Sequence, residues 1–270
     1  MHIFYFKLFH TLTYYKYITK FKILICYNIF GDFMDLKNMI KECNKIVFFG
    51  GAGVSTESGI KDFRSVDGLY NIKYDYPPEE ILSHHFFINN LEEFYKFYID
   101  KMNCLCALPN DCHKYLAKLE KSGKLTGIIT QNIDGLHQKA GSKNVYELHG
   151  SIYKNHCTKC NKKIDAKDIF NGKYICDCGG IIKPDVVLYE EPLDDNVLSN
   201  SINLISNADM LIIGGTSLTV YPASNLVRYF NGKYLVVINK QNTYIDNMAT
   251  LVINDKIGKV FKELEKEGIY

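Results

Sequence analysis

The sequence lacks the features that mark fibrous, disordered and membrane-spanning proteins. Proline is scarce, with 6 residues among 270, and 47% of the residues are hydrophobic against 23% charged. This balance is typical of globular proteins and excludes collagen-like, coiled-coil and disordered chains. Since no apolar run reaches about 18 residues without a charge, we predict no transmembrane helix. The length suits one large domain, or one domain with a smaller lobe.

A strong net charge is also missing, and this bears on possible partners. The formal charge is +2 at pH 7, of which the first 33 residues contribute +3 through four lysines and one aspartate. The remaining residues therefore carry −1. A nearly neutral body offers no electrostatic surface for DNA or RNA, so we expect no direct nucleic-acid partner.

Residues 1–33 differ in composition from the rest of the chain. Eleven of them are Phe or Tyr, and lysines are interleaved among these rings. One interpretation is an amphipathic segment that lies on a membrane surface. The other, which we favour, is a leader upstream of the true start, because Met34 is followed by a well-formed helical pattern over 35–43. We expect no membrane contact unless residues 1–33 are present and interfacial.

The nine cysteines are unevenly placed, and four of them form a tight group: Cys157, Cys160, Cys176 and Cys178. An odd count and the lack of a secretory signal peptide indicate a reducing, cytoplasmic location. There, four grouped cysteines favour a metal site over disulfides. Four thiolates complete a tetrahedral zinc shell, so we expect one structural zinc that holds a small lobe with few apolar residues. A redox dithiol fits less well, since neither pair lies in a thioredoxin-like βαβ context.

Short apolar segments alternate with helical stretches along the rest of the chain. The apolar segments predict strands at 45–49, 125–129, 145–148, 185–189, 208–213 and 234–238. The first two strands are separated by helical patterns over 79–122, which are interrupted near Pro109. This alternation is typical of an α/β fold with a parallel sheet covered by helices on both faces. Polar and Gly-rich residues follow several strands directly, at the edge where open α/β sheets bind ligands.

Three strand ends carry candidate binding residues. The glycines of Gly50–Ser55 would let backbone N–H groups approach an anion such as phosphate, although a simple tight turn explains them equally well. The spacing is not that of a Walker A loop, which ends in Gly-Lys-Ser/Thr. After the next strand, Gln131, Asn132 and Asp134 offer two amides and a carboxylate, groups that recognise a carboxamide or ribose hydroxyls. His149 follows a third strand and has the side chain best suited to base chemistry near neutral pH.

Together these segments resemble the sirtuins, the NAD-dependent protein deacylases. The matching motifs run in family order: Gly51–Ser55, Gly59–Ser65, Thr130–Asp134, His149–Gly150, the four cysteines, Pro184–Glu191 and Gly215–Pro222. The resemblance covers residues 35–270 and leaves 1–33 unexplained. It implies an α/β fold with a Rossmann-like parallel sheet, helices on both faces and a small zinc-binding lobe.

The resemblance also implies how the catalytic domain, 34–270, divides into lobes. The Rossmann-like large lobe would comprise 34–65, 123–153 and 183–270. The small lobe would combine a helical insert, 66–122, with a zinc module, 154–182. One zinc per chain would be held by Cys157, Cys160, Cys176 and Cys178.

Roles for single residues follow from the same resemblance. The NAD contacts would come from Ala52, Gly53, Thr56, Phe63, Arg64, Gln131, Ile133, Asp134, His149, Thr216, Ser217, Asn239, Lys240 and Ile257. His149 would be the general base, with Asn132 beside it at the catalytic centre, and Val187 and Tyr189 would receive the acyl-lysine. The implied reaction is NAD-dependent removal of acetyl groups from protein lysines, with release of nicotinamide and O-acetyl-ADP-ribose.

Two positions depart from the family pattern. Lys61 replaces a proline near the cofactor loop, and Glu190 replaces a glycine after the substrate strand. Glu190 adds negative charge near the peptide cleft, which would favour basic residues beside the target lysine. Two other functions stay open: an NAD-consuming ADP-ribosyltransferase or NADase on the same fold and, more remotely, a non-enzymatic zinc-knuckle binding module. The sequence does not predict the oligomeric state.

Overall fold

Six parallel strands form the central sheet in the computed structural model of the protein, which describes residues 31–32, 34–62 and 75–268. The strands of this sheet are β1 (Ile46–Gly50), β2 (Leu125–Thr130), β3 (Val145–Glu147), β6 (Met210–Gly214), β7 (Tyr234–Ile238) and β8 (Leu251–Ile253). Their order across the sheet is β3-β2-β1-β6-β7-β8. The central strands β1 and β6 are buried at every residue, as expected of parallel strands covered on both faces. The predicted α/β class is confirmed.

Helices and short 3-10 turns connect the strands. The α-helices are α1 (34–42), α2 (Pro78–Ile81), α3 (His84–Asn89), α4 (Leu91–Lys101), α5 (Asp111–Lys121), α6 (Leu136–Ala140), α7 (Ala166–Phe170), α8 (Asp195–Ser206) and α9 (Ile257–Lys266). The 3-10 turns are Ala52–Val54, Thr56–Ser58, Ala223–Tyr229 and Asp246–Met248. Within the described ranges, no helix is both long and apolar enough to cross a membrane.

The sheet has a core on each face, because successive side chains of a strand point to opposite sides. Phe48 of β1 lies in a cluster with buried residues of α1, α5 and α9. Its neighbours Val47 and Phe49 lie in a second cluster with residues of α8 and of the turn Ala223–Tyr229. Helices therefore cover both faces, as predicted.

A second lobe is built around a two-stranded antiparallel sheet. Its strands are β4 (Gly150–Cys157) and β5 (Ile182–Val186), and α2, α3, α4 and α7 pack against them. The prediction that this lobe has few apolar residues is wrong. Tyr98 of α4 stacks on Phe170 of α7 with ring centroids 5.6 Å apart, and Tyr95 stacks on Tyr174 at 4.7 Å. An aromatic core thus joins the helical insert to the cysteine segment.

Two predicted assignments need correction. The apolar run 185–189 is not a strand of the parallel sheet, because β5 ends at Val186 and pairs with β4 instead. Helix α5, predicted to lie in the small lobe, packs on the large sheet: its apolar face contacts α9, where Tyr115 stacks on Phe261. The rest of the lobe division stays a prediction. Of the predicted leader, only residues 31–32 lie within the described ranges.

Candidate active site

A cavity of about 1110 Å³ lies at the carboxyl edge of the parallel sheet. Segments that follow β1, β2, β6 and β7 line it, together with the segment after β5. The cavity brings together all the predicted NAD and substrate residues that the structure describes: Ala52, Gly53, Thr56, Gln131, Asn132, Ile133, Asp134, His149, Val187, Tyr189, Thr216, Ser217, Asn239, Lys240 and Ile257. The predicted contacts Phe63 and Arg64 lie outside the described residues.

The loop after β1 passes very close to the loop after β6. The N–H of Gly53 donates to the carbonyl of Gly215 over 2.8 Å, and a Cβ on Gly53 would lie only 2.8 Å from the Cα of Gly215. Gly215 itself has a φ of 59°, a conformation that favours glycine. Two 3-10 turns, Ala52–Val54 and Thr56–Ser58, follow β1 in this loop. The two loops therefore pack backbone to backbone at the carboxyl edge of the sheet, the edge where open α/β sheets bind ligands, and both line the cavity.

Ser55 links the predicted amide and carboxylate groups. Its hydroxyl donates to Asp134 Oδ2 over 2.6 Å and accepts from Asn132 Nδ2 at 3.0 Å. This fixes the Asn132 amide with its nitrogen towards Ser55, so its oxygen faces away from Ser55. Burial raises the pKa of Asp134, and the hydrogen bonds from Ser55 and the backbone N–H of Leu136 partly offset that rise. The result is a rigid donor and acceptor surface suited to a carboxamide.

The far side of the cavity is organised by Thr216. Its hydroxyl accepts from Gln131 Nε2 over 3.0 Å, and its carbonyl accepts from Asn239 Nδ2 over 2.9 Å. Three strand ends are thereby tied together, those of β2, β6 and β7. Ile257, at the first position of α9, is buried beside them, whereas Ser217 and Lys240 are exposed.

His149 has one ring nitrogen engaged and the other available as a base. Its Nδ1 lies 2.9 Å from the carbonyl oxygen of Gln131, which can only accept, so Nδ1 carries the proton and Nε2 keeps a lone pair. Burial lowers the pKa of His149, and the bond to Gln131 offsets this only partly. The neutral imidazole is therefore the dominant form at pH 7.

Backbone pairing places the segment after β5, which carries the predicted substrate contacts Val187 and Tyr189, next to His149. The N–H of Val187 donates to the carbonyl of His149 over 2.9 Å. Two residues later, Tyr189 pairs with the start of α3, donating to Leu82 and accepting from His84, both at 2.9 Å. Glu190 has a φ of 74°, the left-handed region that favours glycine, and its carboxylate accepts from the N–H of His85.

The four grouped cysteines converge as predicted. Their sulfur atoms all lie within 4.8 Å of one another, with Cys157 Sγ 3.5 Å from Cys178 Sγ and Cys160 Sγ 3.8 Å from Cys176 Sγ. Four sulfurs at about 2.3 Å from a tetrahedral zinc would be separated by about 3.8 Å, so these residues fit a structural zinc ion. The group lies away from the cavity, since none of the four cysteines lines it.

Two residues that shape the cavity, Ser55 and Leu82, have no role predicted from the sequence. Ser55 ends the glycine motif Gly51–Ser55, and its place in that motif is the sequence signal that points to it. Leu82 gives no sequence signal, because it is its backbone carbonyl, rather than its side chain, that accepts the hydrogen bond from Tyr189.

Comparison with known proteins agrees with this geometry. Residues 51–222 match the Sir2 family. The chain is 60% identical over 231 residues to the NAD-dependent protein deacetylase of Clostridium perfringens, across 83% of this chain and 95% of that protein. The corresponding protein of Clostridium acetobutylicum is 58% identical over 234 residues, across 84% of this chain and 96% of its own length.

Solved Sir2 structures share the fold of this chain. A Sir2 complex with a deacetylated p53 peptide and 3'-O-acetyl-ADP-ribose has a TM-score of 0.80 at 38% identity, covering 87% of this chain and 98% of that chain. A Sir2 complex with a p53 peptide and NAD+ has a TM-score of 0.77, also at 38% identity, covering 87% and 97%. With the family match spanning more than half of the sequence and its motifs meeting in one cavity, this chain belongs to the Sir2 family, the sirtuins.

Proposed function

We propose that the protein is an NAD-dependent lysine deacetylase, which removes acetyl groups from protein lysines and releases nicotinamide and O-acetyl-ADP-ribose. The observation that carries this proposal is the position of His149. The imidazole ring of His149, with its basic Nε2, lines the same cavity as the loop after β1. The backbone of His149 also pairs with Val187. Relatives at 58–60% identity are named for this activity.

The cavity residues fit NAD. We assign the pyrophosphate to Ala52, Gly53 and Thr56, which line the cavity in the loop after β1. We assign the nicotinamide end to Gln131, Asn132, Ile133 and Asp134, and the adenosine half to Thr216, Ser217, Asn239, Lys240 and Ile257. Phe63 and Arg64 stay predicted contacts. Bound NAD supplies the ribose that accepts the acetyl group as nicotinamide leaves.

We assign the proton transfer to His149. A neutral imidazole with Nδ1–H held by Gln131 can take a proton from a ribose hydroxyl at Nε2. Asn132 acts beside it, with its amide orientation set by Ser55. Val187 and Tyr189 receive the acetyl-lysine, whose backbone would add as a strand to this segment.

Zinc has a structural role in this proposal. Four thiolates leave no open coordination position for a water molecule or substrate, and the cysteine group lies outside the cavity. We also propose a cytoplasmic location, where thiolates stay reduced and available to the metal.

Mass spectrometry of an acetyl-lysine peptide, incubated with the protein with and without NAD, tests the proposal. We expect free lysine peptide and O-acetyl-ADP-ribose in equal amounts, and only when NAD is present. Peptide or protein that gains the mass of ADP-ribose would instead indicate an ADP-ribosyltransferase, and bare ADP-ribose without deacetylation would indicate an NADase. No nicotinamide release at all would leave the binding-module alternative.

A further inference from the structure

Asn110 joins the start of α5 to the loop after β1, the cofactor loop Gly51–Gly59. It is the N-cap of α5, and its Oδ1 accepts from the N–H of Cys112 over 3.0 Å. Its Nδ2 donates to the carbonyl of Val54 over 2.8 Å and to the hydroxyl of Ser58 over 3.0 Å. These partners fix the amide orientation, since a carbonyl accepts and an N–H donates.

The two anchored positions are the ends of the two 3-10 turns in the loop. Val54 closes Ala52–Val54, and Ser58 closes Thr56–Ser58. Turns of three residues have few internal hydrogen bonds, so their shape depends on contacts from outside. Asn110 provides such contacts to both turns at once.

The helix that carries Asn110 is firmly held. Buried residues of α5 belong to the large core, and Tyr115 stacks on Phe261 of α9 with centroids 4.9 Å apart. Helix α9 anchors the same loop independently, because the carboxylate of Glu57 accepts from the N–H of Gly258 over 2.7 Å. The cofactor loop is therefore fastened to two helices that pack against each other.

We propose that Asn110 is a positioning residue that holds the cofactor loop in the shape that receives the NAD pyrophosphate. This inference rests on the NAD site of the proposed function. Ligand affinity rises when a loop is ordered before binding, because less conformational entropy is lost on association. Only an amide of this length caps α5 and donates to both turns.

Replacement of Asn110 by Ser or Asp separates the capping of α5 from the hydrogen bonds to the cofactor loop. Both residues are good N-caps for α5, but Ser is too short to reach Val54 and Asp has no N–H to donate. We expect the Kd for ADP-ribose, measured by isothermal titration calorimetry, to rise about tenfold in N110S and N110D, equivalent to about 1.4 kcal/mol. The KM for NAD should rise by the same factor while kcat stays within about twofold, since the loss falls on binding.

Two further variants control for folding. Asp194→Ala removes the N-cap of α8, which accepts from the N–H groups of Asn196 and Val197 and lies outside the site. It should lower the unfolding temperature while leaving the Kd for ADP-ribose unchanged. Ser58→Ala removes one loop contact without altering α5, and we expect it to raise this Kd about threefold even if the Asn110 variants fold poorly.

The outcomes distinguish this inference from the proposed function. Wild-type affinity for ADP-ribose in N110S and S58A would overturn the positioning role. So would equal losses of affinity in N110S and D194A at equal loss of stability, because the effect would then be general. A wild-type protein that neither binds ADP-ribose nor deacetylates would refute the proposed function itself.

Discussion

The Nδ1 atom of His149 lies 2.9 Å from the carbonyl oxygen of Gln131, so one hydrogen bond fixes which ring nitrogen can act as a base. Burial lowers the pKa of this imidazole below the ordinary value, and the active neutral form is lost only as pH falls through that lowered pKa. We therefore expect the acid limb of the kcat/KM profile to lie below about pH 6.5. A midpoint above that pH in the profile for an acetylated peptide would contradict the assignment.

Removal of the base should stop the reaction without unfolding the protein. We expect His149→Ala to lower kcat by about 10²–10⁴-fold, the usual effect of losing a general base. Affinity for ADP-ribose should fall little, because the cofactor loop Gly51–Gly59 and the Thr216 contacts remain. Near-normal turnover with coupled NAD consumption in this variant would remove His149 from the mechanism.

Zinc loss should destabilise the small lobe. Cys157→Ser removes a buried ligand of the cysteine group, so we expect a lower unfolding temperature and lower activity, with less than one zinc per chain. The aromatic core around Tyr95 and Tyr98 should preserve part of the lobe. Cys43→Ala, at a buried cysteine outside the group, should keep full zinc content. An active wild-type preparation with little zinc in metal analysis would exclude the site.

The sequence predicts a strand correctly where the whole of an apolar run belongs to that one strand. Tyr234–Ile238 is a continuous apolar run, and it forms a strand with the predicted bounds. The run 185–189 misleads because β5 ends at Val186, and the apolar residues after it line the cavity instead of continuing the strand. The role of Asn110 is hidden for another reason: its partners Val54 and Ser58 lie more than 50 residues earlier, and the contact depends on tertiary packing.

Two buried histidines should make the protein sensitive to acid. The rings of His113 and His137 lie 4.7 Å apart in the large core, and burial lowers the pKa of His113 to about 4 and that of His137 also below the ordinary value. Below pH 6.5 the unfolded chain binds protons that the folded protein does not, so stability is lost as pH falls towards 4.

A variant isolates the contribution of His113 to this acid sensitivity. Between pH 7 and pH 5 the His113 shift is worth about 2 kcal/mol of unfolding free energy. We expect His113→Gln to reduce the loss of stability over that interval by this amount in urea denaturation. The same replacement at exposed His85 is the control and should leave the loss unchanged. An unchanged pH dependence in H113Q would show that His113 stays solvated or charged in the folded protein.

Acyl preference should follow from the charges near Tyr98 and Lys101, which both line the cavity. An acidic acyl group such as succinyl needs a cation to receive its carboxylate, and Lys101 Nζ already lies 2.8 Å from Asp100 Oδ2. Lysine also lacks the bidentate fork with which arginine binds a carboxylate. We expect acetyl-lysine to exceed succinyl-lysine by at least about tenfold in kcat/KM, equivalent to about 1.4 kcal/mol.

Asp100→Asn tests the electrostatic origin of that preference. The change removes the carboxylate that faces Lys101 while keeping the side chain nearly the same size. We expect the rate with the succinylated peptide to rise and the rate with the acetylated peptide to stay the same, because only the former places a charge near Lys101. Equal kcat/KM values for the two peptides in the wild-type protein would show that Tyr98 and Lys101 already form an acid-binding pair.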